Sequence, residues 1–446
     1  MTPYRPWRIL NVDLVQAPSE LRAEPGTEGI YAIFWWHDIP VGDAWLSAAQ
    51  LPLSRHRVRA LSLQRIAPAL AAGLGFASDG HAVLASEEGS ASTPSAQAQA
   101  SHFERPLTRL ARTVEDLETR AAPLRASVIV CTRDRPDSVA RTMRSLCEAL
   151  GTDDEIIVVD NAPADDCTRR AVSACEAARY VVEPRPGLDI ARNTGLRAAT
   201  ANLVAFCDDD VEVHPRWLMR LKTAFLDPTV QAATGLVLPA SLETEAQYLF
   251  ERYWGFGRGF RPRRFSDGYF RRHRSRGVPT WEIGAGASMA FRRSVFDRVG
   301  GFDERLDAGA AGCSGDSELW YRVLAAGYAC SYVPAAVSFH HHRRERGALD
   351  AQLHAYMRGH VAALLVQFQG HGHLGNVRRL ALSLPYYYAK LFVRHLRRGD
   401  RRRTQTLREE VLGALSGVGY YLRHRSRPRE GPPAPREPHP RSDAVV

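Results

Sequence analysis

From Ala126 onward the chain alternates short, continuously apolar runs with amphipathic segments, and this alternation limits the fold more than any other feature. "ASVIVC", "EIIVVD", "RYVVE" and "NLVAFC" have strand length and lack a polar face, as expected of strands covered on both sides. Between them, "PDSVARTMRSLCEAL", "CTRRAVSACEAA" and "GLDIARNTGLRAAT" read as helices. In the first of these, Val139, Met143, Leu146 and Leu150 recur at helical spacing. "PRWLMRLKTAFL" adds another helix, with Pro215 suited to its first turn. Repeated βαβ units of this kind build an α/β, Rossmann-like, mostly parallel sheet with helices on both faces.

Ligands of such sheets bind at the carboxyl ends of the strands. Those ends carry "TRDRP" after the first strand, Asp160 after the second and Asp208, Asp209 and Asp210 after the fourth. Neighbouring carboxylates repel, so the triplet is either a solvated turn or a site that shares a cation. On an extended backbone Asp208 and Asp210 share a face and Asp209 points away. Two carboxylates so placed offer hard oxygen donors to Mg²⁺ or Mn²⁺, leaving positions for water and phosphate. Asp160 reads either as a turn former or as an acceptor for a base or ribose. Arg192 and Asn193 fall on a helix beginning near Gly187, which is either a surface helix or one that aims the Arg at a diphosphate.

Further along, "GAGAS" reads as a strand through which backbone approaches a ligand closely. Asp316 begins a helix whose Leu319, Val323 and Leu324 face the core; it is an N-cap or a general base. In "VSFHHHRRE", His340 and His342 share a face at strand spacing, and a metal role competes with an ordinary structural one.

Taken in order, "SVIVCTRDRP", "IIVVDN", "RPGLDIARNTGL", "VAFCDDDV", "GAGASMAFRR", "GGFDE", "GDSELWYRVLAAGY" and "VPAAVSFHHHR" resemble the family 2 glycosyltransferases of the GT-A fold, over residues 124–345. The resemblance implies Asp160 at the nucleotide base, with Thr132, Arg192 and Asp208 lining the nucleotide pocket. It implies a DxD pair, Asp208 and Asp210, holding Mn²⁺ or Mg²⁺ with His340, and Asp316 as catalytic base. Gly284, Gly286, Ala287 and Trp320 would line the donor-sugar and acceptor pocket. Gly315 departs from the family's pattern, which often has Glu in that slot and uses it for acceptor contacts. One base and no evident nucleophile point to single displacement with inversion, from a nucleotide-sugar, most commonly a UDP-sugar. The resemblance implies a hydroxyl of a glycan or lipid-linked acceptor, and envelope or exopolysaccharide assembly as the setting. Two other readings stay open: a sugar nucleotidyltransferase, though "VCTRDRPDSV" lacks the Gly-rich loop, and a non-catalytic binding protein on a decayed GT-A domain.

The remaining organisation is an N-terminal α+β module at 1–85, a linker at 86–123, a helical basic region at 346–426 and a disordered Pro-rich tail at 427–446. The net charge of +10 favours anionic partners. The Arg- and aromatic-rich stretch at 253–279 reads as a solvated or mobile loop rather than a nucleic-acid segment. With "RHLRRGDRRR" at 394–403 it forms a candidate contact with anionic membrane. Seven cysteines without a C-x-x-C pair read as small buried residues rather than disulfides or zinc ligands. No signal-peptide layout or spanning run is present, so the expected place is the cytoplasm, with peripheral contact at the inner face of the membrane.

Overall fold

The computed structural model describes residues 4–73, 96–173, 175, 177–398 and 405–427. The chain opens with β1 (Trp7–Asp13), β2 (Glu20–Leu21), β3 (Gly29–Trp36), β4 (Ile39–Ser47), β5 (Leu53–Ser54) and α1 (Arg55–Gly73). β3 is buried along its whole length, between β1 in parallel and β4 in antiparallel register. Next comes α2 (Ala96–Ala121), a helix where an open linker is expected from the sequence. The small polar residues of 86–95 lie outside the described residues, but Leu107 of α2 is buried in the N-terminal core and Glu118 bonds Arg220. A stripe of Leu107, Leu110, Ala111 and Val114 gives α2 the apolar face that an open linker lacks.

The βαβ series follows as β6 (Ala126–Thr132), α3 (Pro136–Ala149), β7 (Glu155–Asn161), α4 (Cys167–Val172), β8 (Ala178–Glu183), α5 (Leu188–Ala198) and β9 (Leu203–Asp208). These four strands are parallel. Their apolar runs are split by the pleat: Ile129 and Cys131 join one core, Val128 and Val130 the other. The sheet continues through β10 (Val211–Val213), α6 (Trp217–Thr223), β11 (Val230–Pro239), α7 (Glu245–Trp254), β12 (Arg263–Phe265), α8 (Asp267–His273), β13 (Ser288–Arg292), α9 (Val295–Val299), α10 (Gly315–Ala325) and β14 (Ala329–His340). Strand order is β10-β14-β11-β13-β9-β6-β7-β8, with β12 beside β14. β13 runs antiparallel to both neighbours, so the sheet is mixed, with helices on both faces.

Three expectations change. "GAGAS" is not within a strand; β13 starts only at Ser288 and the preceding residues turn. The 253–279 segment is built into the molecule: Phe265 and Phe270 are buried, and Arg258 bonds the carbonyls of Gly255 and Trp281. Arg here serves as internal donor to irregular backbone, which composition does not distinguish from a solvated loop. Cys147 is exposed, with its Sγ 2.7 Å from that of Cys175, so the thiols are not all buried singly. The C-terminal region is helical: α11 (Arg346–His371), α12 (Leu374–Arg378), a π-turn at Arg379–Ser383, α13 (Leu384–Arg398) and α14 (Leu407–His424). The tail beyond 427 and most of the 394–403 cluster lie outside the described residues or side chains.

Candidate active site

The carboxyl ends of β6 and β9 open into a cleft of about 1280 Å³, larger than a pocket for one small ligand. Thr132, Arg192, Asp208, Asp210, Gly284, Gly286, Ala287, Asp316 and His340 all line it. β9 ends at Asp208; Asp209 and Asp210 form a turn rather than extended strand, and all three border the cleft. Asp209 turns into the body, accepting from Thr132 Oγ1 at 2.7 Å and from Arg135 Nη1 at 2.9 Å. Asp210 accepts from the same Arg135 Nη1 at 3.2 Å, and Asp208 is the most exposed of the three, its side chain 32% accessible. β10 then pairs antiparallel with β14, register Val211 to His340, and this sets the imidazole beside Asp210. His340 Nε2 lies 3.3 Å from Asp210 Oδ1.

The electrostatics of the two acids differ. Burial, reinforced by Asp210 and Asp307 against the pull of Arg192 and His340, raises the Asp208 carboxyl to about 6. Burial also works against Asp210, but His340, Arg135 and Arg343 outweigh it and hold that carboxyl well below the ordinary range. Arg192, aimed at a diphosphate in the sequence reading, has other commitments. It bonds Asp307 at 2.7 Å and Asp189 at 3.0 Å, pairs with Asp208 at 3.5 Å, and is almost fully buried. Burial opposes its charge, yet these carboxylates hold its pKa well above normal. Arg192 therefore anchors Asp208 from behind.

Asp316 stands at the start of α10, with Oδ2 accepting from the Gly286 N–H at 2.8 Å and Oδ1 from the Ser317 N–H at 2.5 Å. Burial, then Asp307, raises its pKa, while Arg192 and the backbone donors restrain the rise. A Cβ on residue 286 would sit 3.0 Å from Asp316 Oδ2 and 3.1 Å from Arg192 Nη2, so the small residue lets these groups meet. Gly315 has an equally local reason. A Cβ there would overlap the carboxylate of Asp189, which occupies the space behind the base.

Two proposed residues are not at the cleft wall. Asp160 is fully buried and accepts from Tyr180 Oη at 2.7 Å, while the next residue, Asn161, lines the cleft. Trp320 is fully buried in the core one turn after Asp316, so the helix face that presents the base continues as packing. His342 also lies behind the wall; its Nδ1 is 2.8 Å from His340 Nδ1 and its Nε2 2.9 Å from Glu251 Oε2. Sequence reasoning missed Asp189, Asp307, Arg135 and Arg343. "TRDRP" at a strand end was the available signal for Arg135, whereas Asp307, at a left-handed φ of 61°, gave none.

Among the described residues no group of three or more His, Cys, Asp and Glu is placed to hold a metal ion. Asp208, Asp210 and His340 all line the cleft, with His340 beside Asp210, and their donor types are ones that suit a cation sharing its coordination with phosphate and water. Carboxylates outnumber guanidiniums at the cleft floor, where Asp189, Asp208, Asp307 and Asp316 surround one Arg192.

Residues 127–300 match the family described as Glycosyl transferase family 2. Among curated relatives, an uncharacterised protein, MT1568, of Mycobacterium tuberculosis is 28% identical over 224 residues, 50% of this chain and 68% of its own. A pre-mycofactocin glycosyltransferase of the same organism is 32% identical over 178 residues, which covers 40% of this chain and only 34% of the relative. Among solved structures, the mannosyltransferase PcManGT of Pyrobaculum calidifontis is 19% identical, with a TM-score of 0.45, over 72% of this chain and 96% of that one. The matched residues run from β6 through α9 and include Asp208 and Asp210, whereas Asp316 and His340 lie beyond them.

Proposed function

We propose that the protein is an inverting glycosyltransferase that moves a sugar from a nucleotide-sugar, a UDP-sugar by preference, to a hydroxyl of a glycan or lipid-linked acceptor. The observation that carries this reading is the joint placement of Asp208, Asp210 and Asp316 in one cleft, with Asp208 and Asp210 inside the segment that matches the family 2 model. The donor's diphosphate would lie at the carboxyl ends of β6 and β9, against Thr132, Arg135 and Asn161. Asp208, Asp210 and His340 would hold Mn²⁺ or Mg²⁺ there, and such an ion, when bound, neutralises charge that develops on the departing diphosphate. Asp316 takes the proton of the acceptor hydroxyl as that oxygen attacks the anomeric carbon. The bond to the diphosphate breaks with its electron pair, and the sugar inverts. The raised pKa of Asp316 suits it to this proton transfer, and the Gly286 and Ser317 N–H groups fix its orientation. Envelope or exopolysaccharide assembly on the cytoplasmic side of a membrane is the setting that belongs to this reading.

The test follows the anomeric configuration of the product by NMR, using the enzyme and Asp316→Asn. Inversion by the wild type, and a loss of about 10²–10⁴-fold in the variant with nucleotide binding intact, supports the reading. Retention of configuration, or full activity without the carboxylate, overturns it.

A further inference from the structure

The cleft continues past Asp316 to a far end walled by Trp281, His360, Arg379, Leu384, Tyr387 and Tyr388. Trp281 is clasped there: the Arg379 guanidinium lies 3.9 Å from its ring centroid and the His360 ring 5.3 Å away, edge-on. The last three residues belong to α13, so one helix supplies both the cleft wall and an outer surface. Its outer surface is apolar. Tyr386 is 69% exposed, Phe392 57% and Val393 43%, and Leu382 in the preceding π-turn is 61% exposed. Tyr386, Ala389 and Val393 follow helical spacing, while Leu391 on the opposite side is buried. Exposed cations flank this stripe at Arg378, Lys390 and Arg394, and the sequence continues as "RHLRRGDRRR".

An apolar stripe bordered by Lys and Arg is what a helix needs in order to lie in the plane of a bilayer surface. Its apolar side enters the acyl boundary and its cations meet anionic headgroups. Among the described residues no helix is long and apolar enough to cross a membrane, so docking of this kind would be peripheral. We propose that α13 lies in the surface of an anionic lipid bilayer and that the adjoining end of the cleft receives an acceptor carried by that bilayer. The second half rests on the glycosyl-transfer reading; the first half does not. Placing α13 at the surface brings the acceptor end of the cleft to the lipid, while the nucleotide end remains open to a water-soluble donor. The segment 253–279, whose aromatic residues are largely packed inside, has no part in this surface.

The experiment is sedimentation of the full chain with vesicles of phosphatidylcholine alone and of phosphatidylcholine mixed with phosphatidylglycerol, at low and high salt. The expected result is binding to the anionic vesicles that weakens with salt. It should fall by about tenfold or more in Lys390→Glu/Arg394→Glu and in Tyr386→Ser/Val393→Ser. The melting temperature and its shift by nucleotide should stay as in the wild type, which shows that the variants remain folded. Wild-type protein that stays in the supernatant at low salt overturns the proposal, as does vesicle binding untouched by both double variants. Self-association that is abolished by Tyr386→Ser/Val393→Ser, without vesicle binding, would make α13 a contact between copies and likewise overturn it. Equal transfer to water-soluble glycan without vesicles removes the acceptor half. Vesicle binding without transfer to any hydroxyl of a lipid-linked or soluble glycan leaves the docking half standing and removes the transferase reading instead.

Discussion

Asp189 and Gly315 illustrate how one residue of the site depends on another. The Asp189 carboxylate is buried against the backbone of residue 315 and bonds Arg192, which in turn pairs with Asp208. Gly315→Ala puts a methyl group into that carboxylate. It should cost about 1–3 kcal/mol of stability, read as a lowered urea midpoint, and disturb the start of α10 that carries Asp316. Asp189→Asn keeps the shape and removes a charge, so Arg192 should turn more fully to Asp208 and Asp307 with little loss of fold. The acidic triplet was legible in the sequence because it follows a buried apolar run, at whose end β9 delivers all three acids to the cleft; the turn at Asp209 and Asp210, in place of extended strand, was not. Asp307 was not, because its contact with Arg192 joins residues 115 apart and depends on a left-handed turn without a sequence signature. Asp160 and Trp320 were placed at the cleft by resemblance. Their burial against Tyr180 and in the core depends on packing that no local pattern records.

At the scale of elements, the four parallel strands and their helices were legible because each apolar run lacks a polar face, which only a doubly covered strand tolerates. The turn at Gly284–Ala287 was misread as a strand, since small residues fit both. α2 was hidden because it opens on the Ala-, Gln- and Ser-rich run AQAQAS, continuous with the low-complexity stretch before it. Between elements, Glu183 at the end of β8 ties that strand to α5: it accepts from Thr194 Oγ1 at 2.6 Å and from Arg185. Burial pushes its carboxyl up, but these donors outweigh it and hold the pKa at about 2. A depressed folded pKa stabilises above the ordinary glutamate value of 4.5 and loses that contribution as the pH falls toward 2. Glu183→Gln should therefore cost about 1–2 kcal/mol at neutral pH and flatten the stability profile between those limits. Chemical denaturation across the acid range checks this; an unchanged acid limb would contradict it.

Across the whole molecule, the N-terminal module is docked rather than tethered. Arg220 of α6 is buried and bonds Glu118 of α2 at 2.7 Å, the Asp38 carbonyl at 2.8 Å and the Ala335 carbonyl at 3.2 Å. One guanidinium thus joins the first sheet, α2 and β14. Arg220→Ala leaves the buried Glu118 charge with less compensation. It should cost about 3–5 kcal/mol, seen in calorimetry as a lowered transition. The sequence suggested no role for residues 1–100 because such a contact spans chain distances of more than a hundred residues. The central claim, that the acidic cleft takes a nucleotide through a divalent ion, concerns the molecule as a whole. It is tested most directly by thermal stability with UDP, GDP, dTDP and CDP, each with and without Mn²⁺ or Mg²⁺, in the wild type and in Asp210→Asn. One nucleotide should stabilise the wild type by about 2.7 kcal/mol at a hundredfold its Kd, only when metal is present, and the variant should lose the effect. A nucleotide shift that is the same without metal and in Asp210→Asn, or no shift with any nucleotide, would contradict the claim.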